Sequence, residues 1–504
     1  MIAVFGLVLT QAGSAGARPV PKSVKGGGKG GDAPQNFLRQ VNTFSNVEFY
    51  YTNRGVIFNS GGAGEGLFWP RGSGQNYIFG SGLWFATQKV VGGKRKKLCD
   101  IGYNPNSGAG WYVEGEDSDV GLSVDRDGSN PAAKYISYVG PRYDKSNGSF
   151  SHTSTAVPSP YYRWPLWDTS ASKTIKHNFY FGDYISDVNQ RDKLAQPGTT
   201  INGHPVTPSI LSEEDILNFY SDQDVSNDPE YRPGAGYPFG INIQEAIYTW
   251  SFGRYRDMIF LRHKVTNASG DSLLDCWMAP AFDADLGVGG ANESNSFVSD
   301  SVGLANNAAA NAGLREPYLS HPSKLNMGYY WSHAQEHQGK EYGMVGFSFL
   351  ESPVIDPTNG NIIANDDSAA LGGYGPNSRF QQDQLGLVTF KKWTINNDPS
   401  TGDLRYDFVS SRSLDLVEGL YGDMRHLMGT GPFTLPPGKS VETVVGITFA
   451  HPSTTNQEQN FEALLSLTDF AHQVFGEPDS VKLNDSTTGW VLNHFLSPIP
   501  PDIP

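Results

Sequence analysis

Met258-Ile259-Phe260-Leu261-Arg262-His263-Lys264-Val265-Thr266-Asn267, the turn Ala268-Ser269-Gly270-Asp271, and then Leu273 through Ala281 read as two extended runs joined by turn residues. Branched and aromatic side chains suit a pleated surface, and Ser-Gly-Asp supplies turn chemistry. The pattern predicts a hairpin-like pair in an antiparallel sheet. Reading outward, Ile241-Asn242-Ile243-Gln244 and Ile247-Tyr248-Thr249-Trp250-Ser251-Phe252 precede it in the same style. Downstream, Gly431-Pro432-Phe433-Thr434-Leu435-Pro436-Pro437-Gly438 leads into the alternating run Val441 to Phe449. A Pro-Pro-Gly turn feeding such a strand suits a two-sheet sandwich.

The first half carries shorter runs: Val47 to Tyr51, Gly55 to Phe58, Tyr77 to Phe79 and Leu83 to Ala86. Thr87-Gln88-Lys89 is expected to interrupt the last of these before Val90-Val91 enters the Gly92-Gly93 turn. Residues 100 to 175 are dense in turn signals and are expected to form long loops. Two helices are expected. Ser212 to Tyr220 has an acidic first turn and apolar spacing. Glu458 to Phe475 carries apolar residues at Phe461, Leu464, Leu465, Leu467 and Phe470 and ends at Gly476.

The expected fold is therefore mainly β: two β-sandwich-like domains with long loops and one C-terminal amphipathic helix. The expected boundaries are residues 42–232 and 233–480, divided at the loop from Asn227 to Gly234, with the helix at 458–475 and a Pro-rich tail at 481–504. A chain of 504 residues is long for one ordinary core, and its 58 Gly and 32 Pro supply many turns. The 12% aromatic content argues against disorder throughout.

With 52 acidic against 37 basic residues the net charge is −15, which excludes a general nucleic-acid binder. The one basic run, Lys94-Arg95-Lys96-Lys97, follows Gly92-Gly93 and reads as a solvated hairpin tip. The apolar run Ile2 to Leu9 and the small-residue site Ala15-Gly16-Ala17 read as a signal peptide over residues 1–17. Residues 18–41 then read as a flexible Gly/Pro/Lys tail. No later stretch holds eighteen consecutive apolar residues, so no transmembrane segment is expected. Cys99 and Cys276 either pair in an oxidising compartment or serve as small buried hydrophobes.

Three constellations could carry chemistry. Asp283, Asp285, Glu293 and Asp300 fall in a Gly- and Asn-rich stretch after a strand, and hard oxygen ligands closely spaced on a loop are what Ca²⁺ takes. The competing reading is Asx-turn residues capping their own backbone. Asp125-Arg126-Asp127 and Asp222-Gln223-Asp224 with Asn227 and Asp228 are weaker versions. Tyr161, Tyr162, Trp164 and Trp167 offer aromatic faces on which a glycan could stack, against the alternative of core and loop-anchoring aromatics. His333-Ala334-Gln335-Glu336-His337 fits the H-x-x-E-H zinc pattern, which requires a helix that the neighbouring Gly328 and Gly339 disfavour. No G-x-S-x-G elbow, Walker loop or dinucleotide fingerprint is present.

Several stretches together resemble a group of large secreted surface proteins exported by the type IX system. They are Asn46 to Phe58, Phe68-Trp69-Pro70-Arg71-Gly72-Ser73-Gly74 before Gly82-Leu83-Trp84, Gly182-Asp183-Tyr184-Ile185-Ser186-Asp187, Phe282-Asp283-Ala284-Asp285-Leu286-Gly287, and Gly431-Pro432-Phe433 with Pro436-Pro437-Gly438. The resemblance implies location at or beyond the cell surface rather than a reaction. In that group a Pro-rich stretch leads into immunoglobulin-like modules and a sorting domain, whereas this sequence ends at Ser497-Pro498-Ile499-Pro500-Pro501-Asp502-Ile503-Pro504.

The reading that follows is a secreted or cell-surface structural or interaction protein. Its partners would be copies of itself, and calcium would stabilise its loops. The alternative is a glycan-binding module or carbohydrate-active enzyme, and a third is a zinc protease.

Overall fold

The computed structural model describes residues 39–103, 110–114, 212–288, 327–332, 340–363, 384–415 and 424–475, with breaks of one to four residues inside these ranges. It also describes the short strands 137–139, 142–144, 149–151, 166–168, 200–201, 204–208, 300–305 and 336–337. The expected signal peptide, the tail from 481 and most of the expected tail before residue 42 lie outside the described residues. Arg39–Val41 is the exception, a strand paired with residues 50–52.

The strands that carry the core are β1 (Gly80–Val91), β2 (Lys94–Ile101), β3 (Glu214–Ser221), β4 (Ile241–Thr249), β5 (Met258–Asn267), β6 (Leu273–Asp283), β7 (Asp300–Ala305), β8 (Met327–Ser332), β9 (Met344–Glu351), β10 (Thr389–Thr394), β11 (Met424–Leu435) and β12 (Ser440–Ala450). Among the described residues two α-helices join them, α1 (Gly402–Val409) and α2 (Gln457–Phe475). The chain is mainly β, as expected.

One large antiparallel sheet runs β7-β8-β9-β12-β5-β4-β3, with Val113–Glu114 and Ser137–Val139 both beside β3. A second runs β10-β11-β6-β1-β2. The two pack face to face. Period-two alternation decides which side chains meet: β5 turns Ile259, Leu261 and Val265 into the core, and β6 turns Cys276, Met278 and Phe282 toward them. The Phe282 and Phe347 rings meet across the gap at 4.4 Å. A small sheet of residues 39–41, 48–52, 67–68, 75–78 and 287–288 adds Phe49, Tyr51, Leu67 and Tyr77 to the same core.

Three expectations are corrected. First, β5 and β6 are not a hairpin in one sheet, because β5 belongs to the large sheet and β6 to the second. The turn 268–272 is a corner between sheets, and the Pro-Pro-Gly turn joining β11 to β12 is another. Asn267 ties the two corners together. Its backbone N–H donates to Lys439 O (3.0 Å), its carbonyl accepts from Gly438 N (2.7 Å), and its Nδ2 donates to Asp271 O and Leu435 O, both at 2.8 Å.

Second, residues 214–221 are not a helix. They form β3, paired over eight residues with β4. Glu214, Ile216, Asn218 and Tyr220 are buried at alternate positions, so sheet pairing outweighs the local capping signal. Third, strands from both sides of residue 232 share each large sheet: β3 pairs with β4, and β1 pairs with β6. Residues 42–232 and 233–480 thus do not fold around separate sheets.

Thr87-Gln88-Lys89 does not break β1, which runs unbroken into the Gly92-Gly93 turn. Both glycines hold positive φ, 58° and 74°, as a tight hairpin turn needs. The helix read at 458–475 is α2. It lies on the outer face of the large sheet, where Leu464 and Leu465 pack with Met327, Met344 and Ala450. Polar contacts fix its register: Thr448 to Thr468 at 2.9 Å and Ser348 to His472 Nε2 at 2.9 Å.

Candidate functional site

Inside the sandwich a row of polar side chains crosses four neighbouring strands of the large sheet. Asn218, Glu245, His263 and Thr443 stand opposite one another in register on β3, β4, β5 and β12. Alternation places them on the core face, alongside Ile247, Leu261 and Val445. Glu245 is the hub. Its Oε1 accepts from Asn218 Nδ2 (2.9 Å), and its Oε2 accepts from the Tyr220 hydroxyl (3.1 Å) and lies 3.2 Å from His263 Nε2. Burial and the adjacent Glu245 push the Tyr220 phenol well above its ordinary value, so it stays a donor. Asn218 Oδ1, His263 Nδ1 and Thr443 Oγ1 are buried without a hydrogen-bond partner among the described residues.

A buried ion pair lies in the other sheet. Arg425 Nη2 donates to Asp283 Oδ2 at 2.9 Å, and the Tyr103 hydroxyl donates to the same oxygen at 2.6 Å. Next to it in sequence but on the core face, His426 stacks on Phe282 with ring centroids 5.2 Å apart, and its Nδ1 lies 2.9 Å from the Tyr330 hydroxyl. Burial pushes the His426 imidazole down to about 3, so it is neutral near pH 7. On the outer face of the large sheet, Arg262 Nη2 and Glu442 Oε1 pair at 2.6 Å.

Of the expected calcium ligands, Asp283 and Asp285 are the two whose side chains are described. Asp283 is the last residue of β6 and faces a guanidinium, a poor neighbour for a cation. Asp285 is buried, Glu293 lies outside the described residues, and Asp300 opens β7, where the backbone alone is described. Among the described residues no group of three or more His, Cys, Asp or Glu side chains is placed to hold a metal ion.

The weaker acidic stretches divide. Asp222 receives the backbone N–H groups of Phe239, Gly240 (3.1 Å) and Ile241 (2.8 Å), and Asp228 Oδ1 receives Glu230 N at 2.7 Å. Both carboxylates therefore cap backbone, the competing reading for such residues. Asp125, Asp127, Asp224 and Asn227 lie outside the described residues.

Of the aromatic platform, Tyr161, Tyr162 and Trp164 lie outside the described residues, and Trp167 sits in a short strand paired with residues 206–208. The zinc pattern loses its helix. Glu336–His337 is extended and pairs with Lys340–Glu341, and His333, the other histidine of the pattern, lies outside the described residues. Cys99 and Cys276 are free and buried, packed in clusters on opposite faces of the second sheet, so they cannot bridge.

The basic run at the β1–β2 hairpin is spent on neighbouring segments. Arg95 pairs with Asp275 (3.1 Å), Lys96 donates to Gly234 O (2.6 Å), Lys97 pairs with Asp407 (2.5 Å), and nearby Lys89 donates to Pro238 O (3.0 Å). Glu230 does the same for α1, accepting from Gly402 N (2.7 Å) and Arg405 Nη1 (2.8 Å). Sequence reasoning missed the Glu245 row and the Asp283 pair. Polar residues at core-facing positions of otherwise apolar strands were the signal that could have found them.

No family model matches this chain, and no curated protein matches it. Among solved structures, the GalM/aldose epimerase homologue from C. elegans aligns with 83% of this chain and 99% of its own length, at 10% identity and a TM-score of 0.25. A superposition that loose carries no argument about fold or activity.

Proposed function

We propose that this chain is an exported structural or interaction protein of the cell surface or extracellular space, working as a rigid antiparallel β-sandwich that associates with copies of itself. One observation carries the reading. Charged side chains are spent on holding the fold: Asp283 on Arg425, Asp222 on a turn, Glu230 on α1, and the cations of the β1–β2 hairpin on β6, on α1 and on the segment 234–238. Groups so committed resist reorganisation around a substrate and suit a scaffold. Export rests on the leader-like residues 1–17 and on the resemblance to type IX surface proteins.

Electron microscopy and light scattering of the purified protein over a range of concentrations test the reading. Ordered assemblies or a defined oligomer are expected. Monomers at every concentration, together with a hit in a polysaccharide binding and hydrolysis panel, would replace it with the glycan reading based on Tyr161, Tyr162, Trp164 and Trp167.

A further inference from the structure

β10 is the end strand of the second sheet, and among the described residues no further strand of that sheet lies beyond it. The N–H and C=O of Phe390 and the N–H of Lys392 face this edge, the backbone groups that would template another strand. The segment 411–415, which follows α1, stands in for one. It runs parallel to β10 with Leu414 beside Phe390. Phe390 N donates to Ser413 O and Asp415 N donates to Phe390 O, both at 2.9 Å. The Asp415 carboxylate then takes the place of a strand carbonyl. Its Oδ2 accepts from Lys392 N and its Oδ1 from Lys391 Nζ, both at 3.1 Å. Lys391 Nζ also donates to Ser413 Oγ at 2.9 Å, and Arg412 N donates to Thr389 Oγ1 at 3.1 Å.

This strap is lightly held. Ser411, Arg412 and Leu414 are exposed, so it buries little apolar surface. The Lys391–Asp415 pair is partly open to water, with side-chain exposures of 20% and 29%, and such pairs add little. Arg412 holds φ at 53°, left-handed backbone that a non-glycine residue adopts at a cost. The opposite edge of the same sheet is closed differently. There the Cys99 N–H of β2 donates to the hydroxyl of Tyr237, whose buried ring stacks on Phe239 with centroids 5.2 Å apart. Core packing seals the β2 edge, whereas exposed hydrogen bonds cover the β10 edge.

We propose that the β10 edge is a binding site for an extended acidic segment of another protein, which displaces 411–415 and adds to the second sheet as a parallel strand. Phe390 recognises main chain, as in other strand additions. Lys391 Nζ and Lys392 N together recognise one carboxylate, a charge-assisted contact. The partner therefore carries an Asp immediately after the residue that faces Phe390, as Asp415 follows Leu414. This goes beyond association between copies and does not rest on it. Two copies meeting edge to edge at β10 would set Lys391 and Lys392 against the same lysines of the other copy, and like charges opposite one another destabilise a strand pair.

Fluorescence anisotropy with a labelled peptide of the strap's own sequence, Ser410-Ser411-Arg412-Ser413-Leu414-Asp415-Leu416, tests this on the full chain. The parent is compared with Asp415→Asn, which withdraws the tethered carboxylate, and Asp415→Ala serves if that variant does not fold. The tethered strap competes at an effective concentration in roughly the millimolar range, so the parent should bind weakly. The variant should bind about tenfold more tightly or better. On the variant, a peptide with Asn in place of its Asp should bind about tenfold more weakly, and adding Lys391→Met should shrink the difference between the two peptides. Absence of binding to the folded variant, equal binding to parent and variant, or equal binding of the two peptides overturns the site. Light scattering of the same samples reads association between copies separately.

Discussion

Replacing Arg425 with leucine would leave the Asp283 carboxylate in the second sheet with one hydrogen bond, from Tyr103, and no counter-charge. Both members of the pair are 2% exposed, so water cannot take the guanidinium's place. Breaking a buried pair from one side costs on the order of 3–5 kcal/mol, whereas replacing both partners with apolar groups of similar volume is close to neutral. Arg425→Leu should therefore lower the unfolding free energy by about 3–5 kcal/mol, and adding Asp283→Leu should recover much of it.

Equilibrium urea unfolding followed by tryptophan fluorescence measures both variants, and running each with Ca²⁺ and with a chelator separates the two roles proposed for Asp283. Ligand linkage would make a calcium site visible as a chelation-dependent loss in the parent protein. The ion-pair account predicts the same loss in Arg425→Leu under both conditions. A loss below about 1 kcal/mol, a double variant no more stable than the single one, or a chelation effect abolished by Asp283→Asn would refute it.

Two further outcomes follow from the packing. A side chain at Gly346 would place its Cβ 2.6 Å from Met327 Sδ and 3.2 Å from Leu464, so Gly346→Val should undock α2, costing about 1–3 kcal/mol with loss of helical circular dichroism. His426, pushed down to about 3 in the fold, binds fewer protons folded than unfolded, so its contribution is present above about pH 6.5 and is lost on acidification toward 3. His426→Gln should flatten that acid limb of a melting-temperature profile.

The β architecture was legible wherever apolar side chains alternate with polar ones, as at Val441 to Phe449, and α2 was legible because Leu464, Leu465 and Leu467 share a face. What lay hidden was non-local. Ala268-Ser269-Gly270-Asp271 has the same turn chemistry whether the chain returns within one sheet or crosses to the other. Only the bonds of Asn267 to Leu435 and Lys439 reveal the corner. Ser212-Glu213-Glu214-Asp215 imitates a helix start, and the pairing with β4 that overrides it involves residues far along the chain. Glu245 and His263 are unremarkable one at a time, and pairing register alone brings them to 3.2 Å. Asp283 looked like a loop ligand because its sequence neighbours are Ala284, Asp285 and Gly287, while its partner Arg425 is more than a hundred positions away.

The shared core is tested most directly by differential scanning calorimetry of the full chain and of two variants. One is Leu83→Ala in β1, from the first half, and the other is Val445→Ala in β12, from the second. Both parent side chains are buried in the sandwich. One core spanning both sheets predicts a single cooperative transition that either variant lowers as a whole. Two resolved transitions, one moved only by Leu83→Ala and the other only by Val445→Ala, would contradict it.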